Sequence, residues 1–133
     1  MSDPIFHPRH ILYLTAPPTI IYTTEYIIHS ESEFGQLGQL TCMVQISPDT
    51  SSYVEWWTNG TQLKNSEKYI IDSVANGEED VVQHRLTVKN LQHSDIRSYL
   101  CQLSSDFAIE ASQPAWIQVD FRKSKSYVWS WWL

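Results

Sequence analysis

The sequence predicts an all-β domain, a sandwich of two packed sheets. From Pro17 to Val119 apolar residues recur with a period of two, and short clusters of Gly, Asn, Asp, Ser and Pro interrupt the runs. No apolar stripe with the helical period is sustained over this region. A half-apolar sheet has to bury one face, so two sheets packed against each other are the economical solution.

The elements follow in order. Thr19 to Tyr22 and Tyr26 to Ile28 form an opening edge. Leu40, Cys42 and Val44 share one face of a strand whose other side carries Gln39, Thr41 and Gln45, and Val54 and Trp56 repeat the pattern after the Ser47 to Ser52 loop. Asn59-Gly60 supplies the two positive-φ positions of a type I′ turn, which reverses the chain into a short strand at Thr61 to Leu63. Tyr69 and Ile71 suit an inward-facing strand, and Asn76 to Asp80 the turn after it. Val82, His84, Leu86 and Val88 alternate next, with Leu91 closing the core before a Gln92 to Ser94 corner. Tyr99, Cys101 and Leu103 share a face of the following strand, and Ile117 and Val119 end the last. This amounts to about seven or eight short strands, the number such sandwiches use.

Composition narrows the function. The 133 residues suit one domain, and 42% hydrophobic with 18% charged residues is enough apolar material for a packed core. A net charge of -6 repels a polyanion, so nucleic acid is excluded as the expected partner. The cysteines, Cys42 and Cys101, offer neither a CxxC redox motif nor a multi-cysteine zinc site. They are either a pair or two free thiols. If they pair, closing a loop of roughly 60 residues restricts the unfolded chain by about 4 kcal/mol in the loop-entropy account. Such a bond persists in an oxidising compartment. Ahead of the domain, Ile11 to Leu14 is too short an apolar run for a signal-peptide core, so the expectation is a fragment or truncated form of a longer secreted or membrane-attached protein. The expected division is an N-terminal extension over 1–16, the domain over 17–120 and a disordered tail over 121–133. That tail, ending Tyr127-Val128-Trp129-Ser130-Trp131-Trp132-Leu133, is too short to span a bilayer and is given no function.

Cys42, Trp56 and Cys101 fall in an order and spacing that resembles the immunoglobulin superfamily, and Tyr99 lies two residues before Cys101, as in a tyrosine corner. The segments Leu40-Thr41-Cys42, Trp56-Trp57-Thr58-Asn59-Gly60 and Asp95-Ile96-Arg97-Ser98-Tyr99-Leu100-Cys101 are similar to the I-set in particular. The resemblance covers roughly Pro17 to Val119. It implies an immunoglobulin-like sandwich with Greek-key topology, an inter-sheet Cys42–Cys101 disulfide with Trp56 packed on it, and Asp95 paired with Lys68; a partly exposed ion pair of that kind is expected to contribute little. Arg97 departs from the pattern, standing where a small residue is usual. With Pro17-Pro18-Thr19-Ile20 as its opening, the chain looks most like the membrane-proximal third domain of lachesin, amalgam and IgLON adhesion proteins. That likeness implies a surface protein whose amino-terminal domains carry most of the recognition.

Asn59-Gly60-Thr61 matches the N-glycosylation pattern on an exposed turn, although a turn sequence chosen only for its backbone would look the same. Trp57 should face outward if Trp56 faces in, as an interface anchor or as packing under a neighbour; Tyr53 and Phe107 are further candidate contacts. His7, His10, His29, His84 and His93 show no HExxH and no ligand spacing, and the glycines form no phosphate-binding loop, so no metal, cofactor or small-molecule substrate is expected. Nothing resembles a nucleophile elbow, and no enzyme is expected. The expected function is extracellular protein recognition, in adhesion or as a receptor module, with another protein, such as another immunoglobulin domain, as partner and membrane attachment only through other parts of the parent protein. A structural spacer and an intracellular I-set scaffold domain are the alternatives.

Overall fold

A computed structural model describes residues 16–30 and 34–119. The Ile11 to Leu14 run, nearly all of the 1–16 extension and the aromatic tail lie outside the described residues. Ten strands are described: β1 (Thr19–Thr23), β2 (Tyr26–His29), β3 (Gly38–Gln45), β4 (Ser52–Thr58), β5 (Thr61–Leu63), β6 (Tyr69–Ala75), β7 (Val81–Val88), β8 (Ser98–Ser105), β9 (Ile109–Ala111) and β10 (Ala115–Val119). One sheet has the order β1-β3-β7-β6; the other runs β2-β10-β8-β4-β5, with β9 also on β8. The chain passes from β3 in the first sheet to β4 and β5 in the second, back to β6 and β7, and over again to β8, which is Greek-key threading of a sandwich.

The strand count exceeds the sequence expectation because the last strand is broken and a short piece, β9, stands alone. The opening edge also divides between the sheets. Thr24 manages that transfer: its N–H donates to Thr41 O at 2.9 Å and its hydroxyl accepts from Thr41 N at 2.9 Å, which continues the β1–β3 ladder. The next residue has already joined the other sheet, where Glu25 O accepts from Trp116 N at 3.0 Å. From there β2 runs parallel to β10.

Alternation decides what is buried. Gly38, Leu40, Cys42 and Val44 of β3 point inward, as do Trp56 of β4, Leu86 and Val88 of β7, Tyr99, Cys101 and Leu103 of β8, and Ala115 and Ile117 of β10. The Cys42–Cys101 disulfide joins β3 to β8 across the two sheets and closes 59 residues of sequence separation. Trp56 lies beside Cys101 on the neighbouring strand and is fully buried. The β7 pattern differs from expectation at its start. Val82 pairs with Val44 and His84 with Cys42, but both are half-buried, whereas Val81 beside the turn is buried. Partial burial lowers the pKa of His84.

The turns follow their backbone chemistry. Asn59 (φ 50) and Gly60 (φ 76) both take the left-handed conformation that a type I′ hairpin requires. The 76–80 turn uses Gly77 (φ 83) and Asp80 (φ 63) instead of Asn76-Gly77 as a pair.

At the corner before β8 the Tyr99 hydroxyl donates to Asp95 O at 3.0 Å, and burial is the main cause that pushes its pKa up. Lys68 Nζ donates to Asp95 Oδ2 at 2.7 Å and to Asn90 O at 3.1 Å, while Gln92 N donates to the same carboxylate oxygen at 2.9 Å. Arg97 fits the turn because its guanidinium folds back onto Ser94 O, with Nε at 2.8 Å. The Asp95 side chain is only 5% exposed against 33% for Lys68, so the pair is partly exposed through its lysine while the carboxylate is buried. Truncating the cation leaves a buried carboxylate held by one backbone N–H. Lys68→Met is expected to lower unfolding free energy by about 1–3 kcal/mol in urea titrations, less than a fully buried pair because Lys68 is partly solvated.

Candidate recognition surface

Because β8 sends Tyr99, Cys101 and Leu103 inward, Ser98, Leu100, Gln102 and Ser104 face out, and the pairing register carries that parity across the sheet. Tyr53 of β4 and Ile109 of β9 both lie opposite Ser104, so the small hydroxyl is buried between two large side chains. Glu55 and Ala111 flank Gln102, Trp57 lies beside Leu100, and on the far side Trp116 of β10 pairs with Tyr26 of β2. Five of these outward apolar residues are exposed, Ile109 by 68%, Tyr53 by 59%, Tyr26 by 50%, Trp116 by 43% and Leu100 by 37%, and Ile28, on the same side of β2 as Tyr26, adds 42%. Glu55 supplies the carboxylate among them, and Gln62 Nε2 donates to it at 3.0 Å.

The opposite face has a different chemistry. Its middle strands β3 and β7 present Gln39, Thr41, Gln45, Gln83 and Thr87, with Gln39 Nε2 donating to Thr87 Oγ1 at 3.2 Å. Arg85 makes a bidentate pair with Asp72, at 2.9 and 2.8 Å, which lowers the carboxyl pKa and raises that of the guanidinium. Exposed large apolar residues of this sheet are Ile21 and Tyr22 on edge strand β1 and Ile70 and Val74 on edge strand β6; between them the half-buried Met43 interrupts a centre that is otherwise polar.

The sequence candidates divide on this geometry. Tyr53 lies within the apolar face, and Phe107 is exposed at the β8–β9 turn beside it. Trp57 faces outward but is half-buried, so only part of the ring is offered, and its buried indole nitrogen has no hydrogen-bond partner among the described residues. Asn59 is exposed at the β4–β5 turn, toward the edge of the sheet. Leu100, Ile109, Trp116, Tyr26 and Ile28 were not singled out from sequence. Parity around Cys101 points to Leu100, but the parallel β2–β10 pairing that brings Tyr26 to Trp116 has no local signal.

A bulge shapes one side of the face. Ser112 N donates to Cys101 O at 2.8 Å and its hydroxyl accepts from Cys101 N at 2.9 Å, so a side chain stands in for a backbone acceptor while Gln113 and Pro114 loop out. Pro114 has no N–H to leave unpaired there. The loop and the β1–β2 crossover together flank a cleft of about 550 Å³ beside Trp116 and Tyr26. Among the described residues no group of His, Cys, Asp and Glu could hold a metal ion, and no helix is long and apolar enough to cross a membrane.

The family model for the immunoglobulin I-set domain matches residues 23–119. The chain belongs to the immunoglobulin I-set family. Its fold is an immunoglobulin-like sandwich of four and six strands, and the family is non-catalytic. Among solved structures, a chain from the complex of Dpr2 Ig1-Ig2 with DIP-Theta Ig1-Ig3 is similar with a TM-score of 0.66 and 18% identity, over 79% of this chain and 33% of that one. The tandem Ig repeats of Dlar give 0.57 and 17%, over 77% and 48%, and the BTLA ectodomain 0.56 and 22%, over 78% and 97%. At these identities the likeness is one of fold. This chain spans about a third of the length of the Dpr2–DIP-Theta complex chain it matches.

Proposed function

We propose that this domain, with boundaries near 17–120, is a non-enzymatic recognition module of a cell-surface protein, and that the outer face of its six-stranded sheet meets another immunoglobulin domain. The observation that carries the reading is the contrast between the two sheets. One exposes apolar and aromatic side chains across five strands, β2, β10, β8, β9 and β4, and the other keeps a mostly polar centre. With aromatic side chains of about 150–250 Å² each, the exposed fractions sum to several hundred Å² of apolar surface. That is the order of one partner's share, about 800 Å², of a standard interface. Tyr and Trp, which this patch exposes, are among the residue types that carry binding energy at interfaces. A spacer domain needs no such asymmetry, which speaks against that alternative.

The partner class is supported by the similar structure of a complex between proteins named by their Ig domains. An extracellular setting is supported by the disulfide, by the sequon at the exposed Asn59 and by the likeness to an ectodomain. The finer resemblance to third domains of lachesin, amalgam and IgLON proteins extends the reading to an adhesion protein with further domains ahead of this one.

Two experiments test the proposal. In a binding screen against a panel of recombinant immunoglobulin ectodomains, this chain included, Leu100→Asp is expected to reduce affinity at least about tenfold. Gln83→Asp on the opposite face should leave it unchanged; the reverse pattern, or no binding to any member, overturns the face. Intact mass of the parent protein secreted from animal cells should show an intramolecular disulfide and a glycosidase-sensitive increment lost in Asn59→Gln. Free thiols and an unmodified Asn59 contradict the extracellular reading.

A further inference from the structure

The cleft beside Trp116 has a composition that points to one kind of ligand group. Trp116 and Tyr26 are direct neighbours across the β10–β2 pair, both on the outward side, and Pro114 and Gln118 lie two residues to either side of Trp116 on β10. Glu25 lines the same cleft from the crossover. Its backbone carbonyl is used by Trp116 N, but among the described residues no donor reaches its carboxylate. Among the described residues no Lys, Arg or His lines the space. The Arg97 guanidinium, just ahead of β8, is turned onto Ser94 O and does not line the cleft.

We infer that this cleft is the anchor site for an arginine side chain of the partner protein. The inference rests on the proposed use of this face and names the partner chemistry there. Two aromatic side chains line the space, where a cation can be held against a ring, and the Glu25 carboxylate in the same lining supplies the counter-charge. Arginine fits better than lysine, because its planar guanidinium stacks on indole or phenol while its forked N–H groups pair with Glu25. The net charge of -6 draws a basic loop toward the domain, and the apolar remainder of the face then buries its flanks.

The test is a titration of the isotope-labelled full chain with capped Gly-Arg-Gly and with the same peptide carrying citrulline, a neutral isostere. Shifts are followed at the Trp116 indole N–H and at the Glu25 and Tyr26 amides. The arginine peptide is expected to bind at least about threefold more tightly than the citrulline peptide, the scale of an exposed cation–aromatic contact. Added salt should erode that difference. Glu25→Gln and Trp116→Leu should each abolish the preference, and Tyr53→Ala, at the other end of the face, should retain it. Equal binding of the two peptides, or shifts centred away from Trp116, overturns the arginine site. If Leu100→Asp still blocks the protein partner in that case, the face stands and only the anchor falls.

Discussion

The bond between Cys42 and Cys101 is the constraint from which the rest of this domain follows. It ties β3 of one sheet to β8 of the other, and Trp56, next to Cys101 in the register, fills the space beside it. Once these three side chains are inside, strand alternation leaves no choice for their neighbours. Leu40, Val44, Tyr99 and Leu103 complete the core, while Thr41, Met43, Leu100 and Gln102 are sent to the two outer faces. The same decision that builds the core therefore writes the surface chemistry.

The surface so written is unequal. Across the four-stranded sheet the residues facing out from β3 and β7 are mostly amides, hydroxyls and an ion pair, groups that stay hydrated at little cost. Across the other sheet the outward set includes Tyr53, Leu100, Ile109, Trp116 and Tyr26, whose exposure leaves apolar area in water that association would remove. Two irregularities sharpen this face. The Ser112 hydroxyl bridges the broken last strand, and Thr24 closes the β1–β3 ladder before the chain crosses to β2. Between them lies the Trp116 cleft, a concave feature on an otherwise open sheet.

The core was legible in the sequence because its signals are local or fixed in spacing. Asn59-Gly60 names its own turn, and Tyr99 stands two residues from Cys101 whatever lies elsewhere. The outward face was less legible, since it is assembled by pairing. Tyr26 and Trp116 become neighbours only when β2 joins β10 in parallel, and nothing in either segment encodes the other. The break between β9 and β10 was missed because a serine hydroxyl replaces the backbone group that alternation assumes. Arg97 departed from the family pattern without disturbing the corner, because its long side chain leaves the tight turn and bonds back to Ser94 O. The burial of Asp95 likewise depends on how Gln92 and Lys68 fold over it, which spacing alone does not give.

The most direct measure of the central claim is hydroxyl-radical footprinting of the domain, alone and bound to the ectodomain it recognises. Tyr53, Leu100 and Trp116 report on the six-stranded face, and Tyr22 and Met43 on the other. The account predicts protection confined to the first set. Protection of Tyr22 and Met43 with Leu100 and Trp116 unchanged would contradict it.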